Sequence, residues 1–138
     1  MRRSFDSVSV GDVLPPLQLP PVTRSTLALY ADASGDPNPI HTDVDFARAA
    51  GMPDVFAHGM LSMAWLGRLL TTWAPQRDLR EFSVRFSAIT QLGERITCTG
   101  RVAEKLERDG ERLVRIYVAT ANEAGEVKVS GEALVALP

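Results

Sequence analysis

Hydrophobic residues follow two different periods along the chain. Between Gly59 and Trp73, apolar side chains cover nearly every face of a helical wheel, which predicts a long helix enclosed by other structure. Four later segments alternate apolar and polar residues with a period of two, which predicts strands with one apolar face each. These segments span residues 82–86, 96–102, 114–118 and 127–137. Glycine-containing turns at 108–110 and 123–125 join the last three as hairpins, so the predicted sheet is antiparallel.

Two shorter helices are predicted before this region. Thr23 has the residue type and spacing of an N-cap, and Gly35 is placed to end the helix that follows it. A second helix is predicted over residues 43–50, with Thr42 as its N-cap and Gly51 as its terminator. The segment between Gly35 and Thr42 contains two prolines, so it is predicted to be a turn that separates the two helices.

The predicted elements combine into one architecture. An apolar helix packed on the apolar face of a curved antiparallel sheet is an α+β hotdog arrangement, in which the sheet wraps around the helix. A chain of 138 residues, 45% of them hydrophobic, is long enough for one good core, so a single domain over residues 1–138 is expected. Such a domain leaves a sheet edge exposed, and pairing of that edge with a second copy predicts a dimer.

Composition and charge exclude several classes of partner. The chain has 15 basic and 17 acidic side chains and a formal net charge of -2, so neither nucleic acid nor an anionic membrane surface is an expected partner. The longest apolar stretch, between Met60 and Trp73, is interrupted by polar residues and is shorter than the roughly 20 residues of a membrane span. The start of the chain lacks the apolar core of a signal peptide. Because Cys98 is the only cysteine, no internal disulfide can form, and a cytoplasmic location is expected.

The segment 34–43 has the most unusual composition, because two prolines flank an asparagine between a carboxylate and an imidazole. Pro37 and Pro39 keep the residues before them out of the helical region, so a rigid turn and not a helix face holds the pair. Asp36 and His41 supply a carboxylate and a group that titrates near neutrality, which suffices to move protons on and off carbon or to hold a water. The alternative is structural: a turn-forming aspartate beside a packed histidine.

The same region invites comparison with a metal site. Asp36, His41, Asp43 and Asp45 offer carboxylate oxygens and a ring nitrogen within ten residues. Their spacing lacks the glycine and the terminal glutamate of a calcium loop, and acids in the first turn of a helix are favoured by the helix dipole alone. We therefore expect neither a metal nor a cofactor.

A second group of candidates, in residues 57–62, lies where the long helix begins. Free backbone N–H groups and the positive end of the helix dipole suit a developing oxyanion, and Gly59 lets a ligand carbonyl approach the backbone closely. His58 and Ser62 are supporting candidates. Each also has a common structural explanation, His58 as a hydrogen bonder at the helix start and Ser62 as a small core residue. The sequence lacks the Gly-x-Ser-x-Gly elbow of a nucleophilic serine.

These residues carry a family resemblance that covers nearly the whole chain. The segment 35–43, Gly-Asp-Pro-Asn-Pro-Ile-His-Thr-Asp, resembles the hydratase motif of the MaoC-like hotdog proteins. That family includes the (R)-specific enoyl-CoA hydratases and the (3R)-hydroxyacyl-ACP dehydratases of type II fatty acid synthesis. Residues 57–61, Ala-His-Gly-Met-Leu, are similar to the second signature of the family, and the strand at 84–86 is similar to theirs.

The resemblance implies a reaction and a role for each residue. The reaction is the reversible hydration of trans-2-enoyl thioesters, carried by CoA or by acyl carrier protein, to (3R)-hydroxyacyl thioesters. Asp36 and His41 would be the catalytic dyad, Asn38 would brace the turn, and the Gly59 amide would bind the thioester oxygen. Some hydratases of the family have a serine deep in the long helix. This chain has Gly67 there, so that polar contact is missing or is supplied by Ser62.

Two other functions remain open at this point. The chain could be one subunit of a mixed hotdog heterodimer that is active only with a partner chain, although a homodimer is the first expectation. It could also be a hotdog acyl thioesterase, in which a carboxylate activates water against the carbonyl carbon. The acyl chain is expected beside the long helix, near Trp65, Leu66, Leu69, Phe56 and Phe86, all of which have core packing as the plainer explanation.

Overall fold

A computed structural model describes residues 2–138. Three helices and five strands are present among them: α1 (Arg24–Ser34), α2 (Val44–Ala49), α3 (Gly59–Trp73), β1 (Leu17–Gln18), β2 (Leu79–Phe86), β3 (Thr97–Arg108), β4 (Glu111–Ala121) and β5 (Val127–Ala136). The strands form one sheet in the order β1-β3-β4-β5-β2, and every neighbouring pair is antiparallel. The predicted long helix, the four later strands and the two hairpins are confirmed.

The core lies between α3 and the inner face of the sheet. One face of α3 is buried through Leu61, Leu66, Leu69, Leu70 and Trp73, which belong to one hydrophobic cluster with inward residues of β3, β4 and β5. Burial of these side chains supplies the main driving force for the docking of helix and sheet. On the opposite face Met60 is 54% exposed, and Ala64 and Arg68 are exposed as well, so the prediction that other structure encloses this helix on nearly every face is wrong for the single chain. Neither α3 nor any other helix within residues 2–138 is both long and apolar enough to cross a membrane.

The two edges of the sheet differ in length. At one edge β1 is only two residues long, and an isolated bridge between Val13 and Arg101 lies next to it in the chain. At the other edge β2 is eight residues long and pairs with β5 alone. Gly131 of β5 lies opposite Val84, and a Cβ there would be only 2.0 Å from the Ser83 carbonyl oxygen. A glycine is therefore required for β2 to approach β5 this closely.

The predicted N-cap is confirmed for α1 and is wrong for α2. The Thr23 hydroxyl accepts from the Thr26 amide at 3.2 Å, and α1 ends at Gly35 with a φ of 72°. The N-cap of α2 is Asp43, whose carboxylate accepts from the amides of Asp45 and Phe46, so the prediction of Thr42 is wrong. Thr42 instead closes the preceding 3₁₀ turn, because its amide donates to the Pro39 carbonyl.

Candidate active site

The turn between α1 and α2 is held by its own side chains as well as by its prolines. The Asp36 carboxylate accepts from the Asn38 amide at 3.3 Å, and the Asn38 side-chain oxygen accepts from the Ile40 amide at 3.1 Å. A short 3₁₀ helix, Pro39–His41, then places His41 at its end. Such side-chain-to-backbone bonds are the usual means by which Asp and Asn stabilise turns. The predicted rigid turn is thus present, and Asn38 lies at its centre.

A backbone carbonyl fixes the orientation of His41. The imidazole Nδ1 lies 2.7 Å from the Phe56 carbonyl oxygen, and the side chain is only 9% exposed. Because a carbonyl oxygen can only accept, Nδ1 must carry a proton, so in the neutral ring the lone pair is on Nε2. His41 therefore presents an acceptor nitrogen to whatever lies beyond its Nε2 atom.

His58 stacks directly on His41. The two ring centroids are 3.8 Å apart with an interplanar angle of 25°, and Tyr30 meets His58 edge-on at 4.9 Å. The His58 Nε2 atom donates to the Asp36 carbonyl oxygen at 3.3 Å, whereas Nδ1 has no partner among residues 2–138. Burial lowers the pKa of His58, and the neighbouring His41 lowers it further. His58 is thus a neutral ring that connects the turn to His41.

The turn and the helix start bring three titratable groups together. Single atoms of the Asp36 carboxylate and of the His41 and His58 rings all lie within 4.8 Å of one another, and Asp36 is exposed. The lone pairs of the stacked His41 and His58 rings lie in nearly parallel planes, so the two rings are poorly placed to bind one metal ion together. Asp43, an acid of the metal alternative, is used as a helix cap. The arrangement suits proton transfer better than metal coordination.

The start of α3 offers unpaired donors beside this cluster. The amides of Gly59 and Met60 have no acceptor in the described part of the chain, and the Leu61 amide donates to the His58 carbonyl at 3.1 Å. A Cβ on Gly59 would lie 3.1 Å from the Phe86 ring, so this glycine also makes room for an aromatic neighbour. Free N–H groups at a helix N-terminus form a site for an anion or a developing oxyanion.

A pocket of about 290 Å³ opens at this helix start. It is lined by residues of α3, of the segment before it, of the end of β2, of the β2–β3 connection and of β5: Phe56, Ala57, Gly59, Ser62, Phe86, Ser87, Ala88, Ile89, Thr90 and Val129. Asp36 and His41 are not part of this lining and adjoin it through Phe56. Of the five expected lining residues, Phe56 and Phe86 are present. The other three are wrong, because Leu66 and Leu69 are buried in the core and the partly buried Trp65 packs against it.

Some features of the site have no signal in the sequence. The carbonyl of Phe56 orients His41 across 15 residues, and a main-chain acceptor leaves no trace in residue type. The aromatic contacts of His58 with Tyr30 and His41 are equally invisible to spacing rules. Ser62 is 2% exposed and lines the pocket, and its hydroxyl forms no hydrogen bond within residues 2–138. That hydroxyl remains free to contact a ligand.

Comparison with known proteins identifies the family. Residues 11–124 match the family model described as "MaoC like domain", and this range contains every candidate site residue. The chain belongs to the MaoC-like dehydratase family. The MaoC-like chain is 30% identical over 119 residues to an "(R)-specific enoyl-CoA hydratase" of Rhodospirillum rubrum, covering 85% of this chain and 81% of that protein. It is 29% identical over 143 residues to the mitochondrial "3-hydroxyacyl-[acyl-carrier-protein] dehydratase" of Arabidopsis thaliana, covering 99% and 85% of the two chains.

A solved structure gives the same result for the fold. The unliganded R-hydratase PhaJ1 of Pseudomonas aeruginosa superimposes on this MaoC-like chain with a TM-score of 0.85 and 29% identity, covering 99% of this chain and 86% of that one. The predicted α+β hotdog fold is therefore confirmed, as is the predicted family. The relatives also confirm the predicted class of activity, the hydration and dehydration of acyl thioesters by a hydro-lyase.

Proposed function

We propose that this chain reversibly adds water to trans-2-enoyl thioesters, with Asp36 and His41 as the catalytic dyad. The observation that carries the proposal is the fixed state of His41. Its Nδ1 is held by the Phe56 carbonyl, which leaves Nε2 as the acceptor of the neutral ring, and one ring nitrogen of His41 lies within 4.8 Å of an Asp36 carboxylate oxygen. A carboxylate and an unprotonated imidazole nitrogen together can orient one water and remove a proton from it.

The reaction follows from these two acceptors. Asp36 takes a proton from a water that also donates to His41 Nε2, and the water oxygen forms a bond to C3 of the enoyl group. The electron pair of the C2–C3 double bond moves toward the thioester oxygen. The electron pair then returns from the oxygen to form the C2–H bond with the proton that Asp36 took from the water, while His41 Nε2 assists by accepting a hydrogen bond from the new 3-hydroxyl. Dehydration is the same sequence in reverse, in which the 3-hydroxyl leaves as water.

The start of α3 is the proposed binding site for the thioester oxygen. The Gly59 amide is unpaired within residues 2–138, and it lies in the same pocket as the Ser62 hydroxyl. Donors that gain strength as charge builds on the oxygen lower the barrier to addition. His58 supports the dyad by stacking on His41, and Asn38 supports it by holding the turn. The acyl chain then occupies the remaining, largely apolar pocket.

The proposed active form is a homodimer joined through β2. This strand is an open edge of eight residues, and such an edge readily pairs with a second copy. Phe86 at the end of β2 is 51% exposed, and Met60 and Ile89 are also large exposed apolar residues. A mass measurement in solution tests this part of the proposal. A stable monomer that gains activity only with a second hotdog chain would replace the homodimer with a heterodimer.

The activity is tested with the purified chain and a short-chain trans-2-enoyl-CoA. We expect loss of the enoyl absorbance, a (3R)-hydroxyacyl product on chiral analysis and no release of free thiol. Thiol release without hydration would make the protein a thioesterase and overturn the proposal. A panel of enoyl thioesters of graded length, carried by CoA and by acyl carrier protein, then identifies the carrier and the depth of the pocket.

A further inference from the structure

Lys128 is a buried cation bonded to one segment of the pocket lining, residues 87–89. It is the second residue of β5 and is 3% exposed, although its neighbour Val127 is 45% exposed. Its Nζ donates to the Ile89 carbonyl at 2.9 Å and forms ion pairs with Glu126 and with Glu94, the latter at 3.1 Å. A buried charge of this kind persists only when it is paired and hydrogen-bonded. The structure provides Lys128 with both.

Glu94 completes a saturated polar network. Its carboxylate accepts from the Asn122 side chain at 2.6 Å and from the Gln91 amide at 2.7 Å, in addition to its pair with Lys128. Burial alone would raise the pKa of Glu94 and lower that of Lys128. The hydrogen bonds and ion pairs outweigh burial, so the pKa of Glu94 is lowered and that of Lys128 is raised. Both groups are charged at neutral pH.

Lys128 holds one segment of the pocket wall by its side chain and by its main chain. Its carbonyl accepts from the amides of Ser87 and Ala88 at 2.9 and 3.1 Å, and its Nζ binds the Ile89 carbonyl. Residues 87–90 supply four of the ten residues that line the pocket. A single lysine thus fixes the position of the wall that faces α3.

The same wall is connected to the dyad through two further bonds. The Thr90 carbonyl accepts from the Ala57 amide at 2.9 Å. Phe56 directly precedes Ala57, and the Phe56 carbonyl accepts from His41 Nδ1. The wall segment therefore lies between Lys128 on one side and the peptide that orients His41 on the other. A shift of residues 87–90 would change the shape of the pocket first and the position of His41 second.

We propose that Lys128 is a positioning residue that sets the length of acyl chain the enzyme accepts, by holding residues 87–90 against the pocket. The inference depends on the proposed hydratase activity. A buried ion pair is weak evidence for stability, since its desolvation penalty offsets much of its attraction. The bonds of Lys128 instead fix the position of residues 87–90. A segment that limits the depth of a pocket discriminates between acyl chains that differ by methylene groups.

The test compares Lys128→Met with a matched control, Lys105→Met. Lys105 also donates its Nζ to a main-chain carbonyl, that of Val8 at 2.7 Å, but it lies away from the pocket. We measure kcat/KM for a four-carbon and an eight-carbon enoyl thioester. The ratio of long-chain to short-chain kcat/KM should rise about tenfold in Lys128→Met, and it should stay at the wild-type value in Lys105→Met. General destabilisation lowers both rates together and leaves the ratio unchanged.

A double variant keeps the test possible if Lys128→Met does not fold. Lys128→Met alone leaves Glu94 as a buried carboxylate without its cation, whereas Lys128→Met combined with Glu94→Gln removes both charges. The double variant still lacks the bond to the Ile89 carbonyl, so it should show the same rise in the ratio. An unchanged ratio in a folded variant overturns the proposal.

Hydrogen exchange separates this inference from the proposed function. The Ala57 amide should exchange faster in the Lys128 variants, and the Leu14 amide, bonded to the Gly100 carbonyl at 2.9 Å, should not change. If the wild-type chain lacks hydratase activity, the proposed function fails and exchange at Ala57 alone decides whether Lys128 holds the wall. Unchanged exchange at Ala57 in that case rejects the positioning role as well.

Discussion

Two regions next to the pocket, called here the dyad side and the Lys128 side, differ in how their polar groups are paired. On the dyad side, formed by residues 35–42 and 56–59, several groups have no protein partner within residues 2–138: His58 Nδ1 and the amides of Gly59 and Met60. On the Lys128 side, formed by residues 87–94 and 126–129, the buried charges have hydrogen bonds or ion pairs. Because an unpaired buried polar atom is costly, His58 Nδ1 is informative, whereas the amides of Gly59 and Met60 belong to exposed residues and are open donors at the helix start. All three lie beside the proposed thioester site.

The contrast also separates two ways of burying an ionisable side chain. His58 is buried and forms no ion pair within residues 2–138, and it remains neutral because burial and the neighbouring His41 lower its pKa more than Asp36 raises it. Lys128 is buried with two carboxylates and remains charged. A neutral ring can stack beside a dyad without disturbing its charge, whereas a paired cation can hold main-chain carbonyls in place. Chemistry is thus expected from the dyad side and shape from the Lys128 side.

The largest effect should come from the carboxylate of the dyad side. Asp36→Asn removes the proposed base and should lower kcat for hydration by about 10²- to 10⁴-fold. The matched control is Asp32→Asn, since Asp32 is also an exposed aspartate near the end of α1 and has no contact with the cluster. Rates are followed by loss of the enoyl absorbance. Equal rates in wild type and Asp36→Asn would remove Asp36 from the mechanism.

A smaller loss is expected at the helix start. Gly59→Ala places a methyl group 3.1 Å from the Phe86 ring and beside the free amide, so it should lower kcat/KM by about 10- to 100-fold. Gly67→Ala is the control in the same helix, because its Cβ would meet Phe82 at an ordinary 3.7 Å. That change should leave the rate unaltered and raise the free energy of unfolding by about 0.5–1 kcal/mol. Full activity of Gly59→Ala would argue against thioester binding at this amide.

A third pair of variants tests which residue, Asp43 or Thr42, caps α2 and stabilises the fold. Asp43→Ala removes the acceptor for the Asp45 and Phe46 amides and should lower the free energy of unfolding by about 1 kcal/mol. Thr42→Ala should have a smaller effect, because the Thr42 side chain does not cap the helix. Chemical denaturation measures both. A larger loss for Thr42→Ala would reverse the assignment of the cap.

The smallest effect concerns pH. Since the pKa of His58 is lower in the folded chain, the unfolded chain binds a proton first as the pH falls below about 6.5. The contribution of neutral His58 to stability is fully present above that pH and is lost as the pH falls toward the folded pKa. Wild type should therefore lose more stability than His58→Gln between pH 7.5 and 5.5 in denaturant titrations. Parallel curves for the two proteins would show that His58 does not carry this linkage.

Local patterns in the sequence determined the elements and the candidate pair. The apolar segment between Gly59 and Trp73 predicted α3 at its observed bounds, because a helix that packs against a core needs apolar residues along its buried side. Prolines 37 and 39 predicted a rigid turn, since each restricts its own backbone and that of the residue before it. The family signature in residues 35–43 then led to the reaction class that the relatives confirm.

Only the tertiary structure decided how these pieces meet. The orientation of His41 depends on the Phe56 carbonyl and on stacking with His58, and main-chain acceptors and ring contacts have no residue code. The burial of Lys128 likewise contradicts the alternation that placed Val127 on the apolar face of β5 and Lys128 on the polar face. Long-range partners such as Glu94 come from loops whose path the sequence pattern does not specify. Periodicity records which face of an element is buried, but contacts between distant segments arise only when the sheet, the helix and their connections pack together.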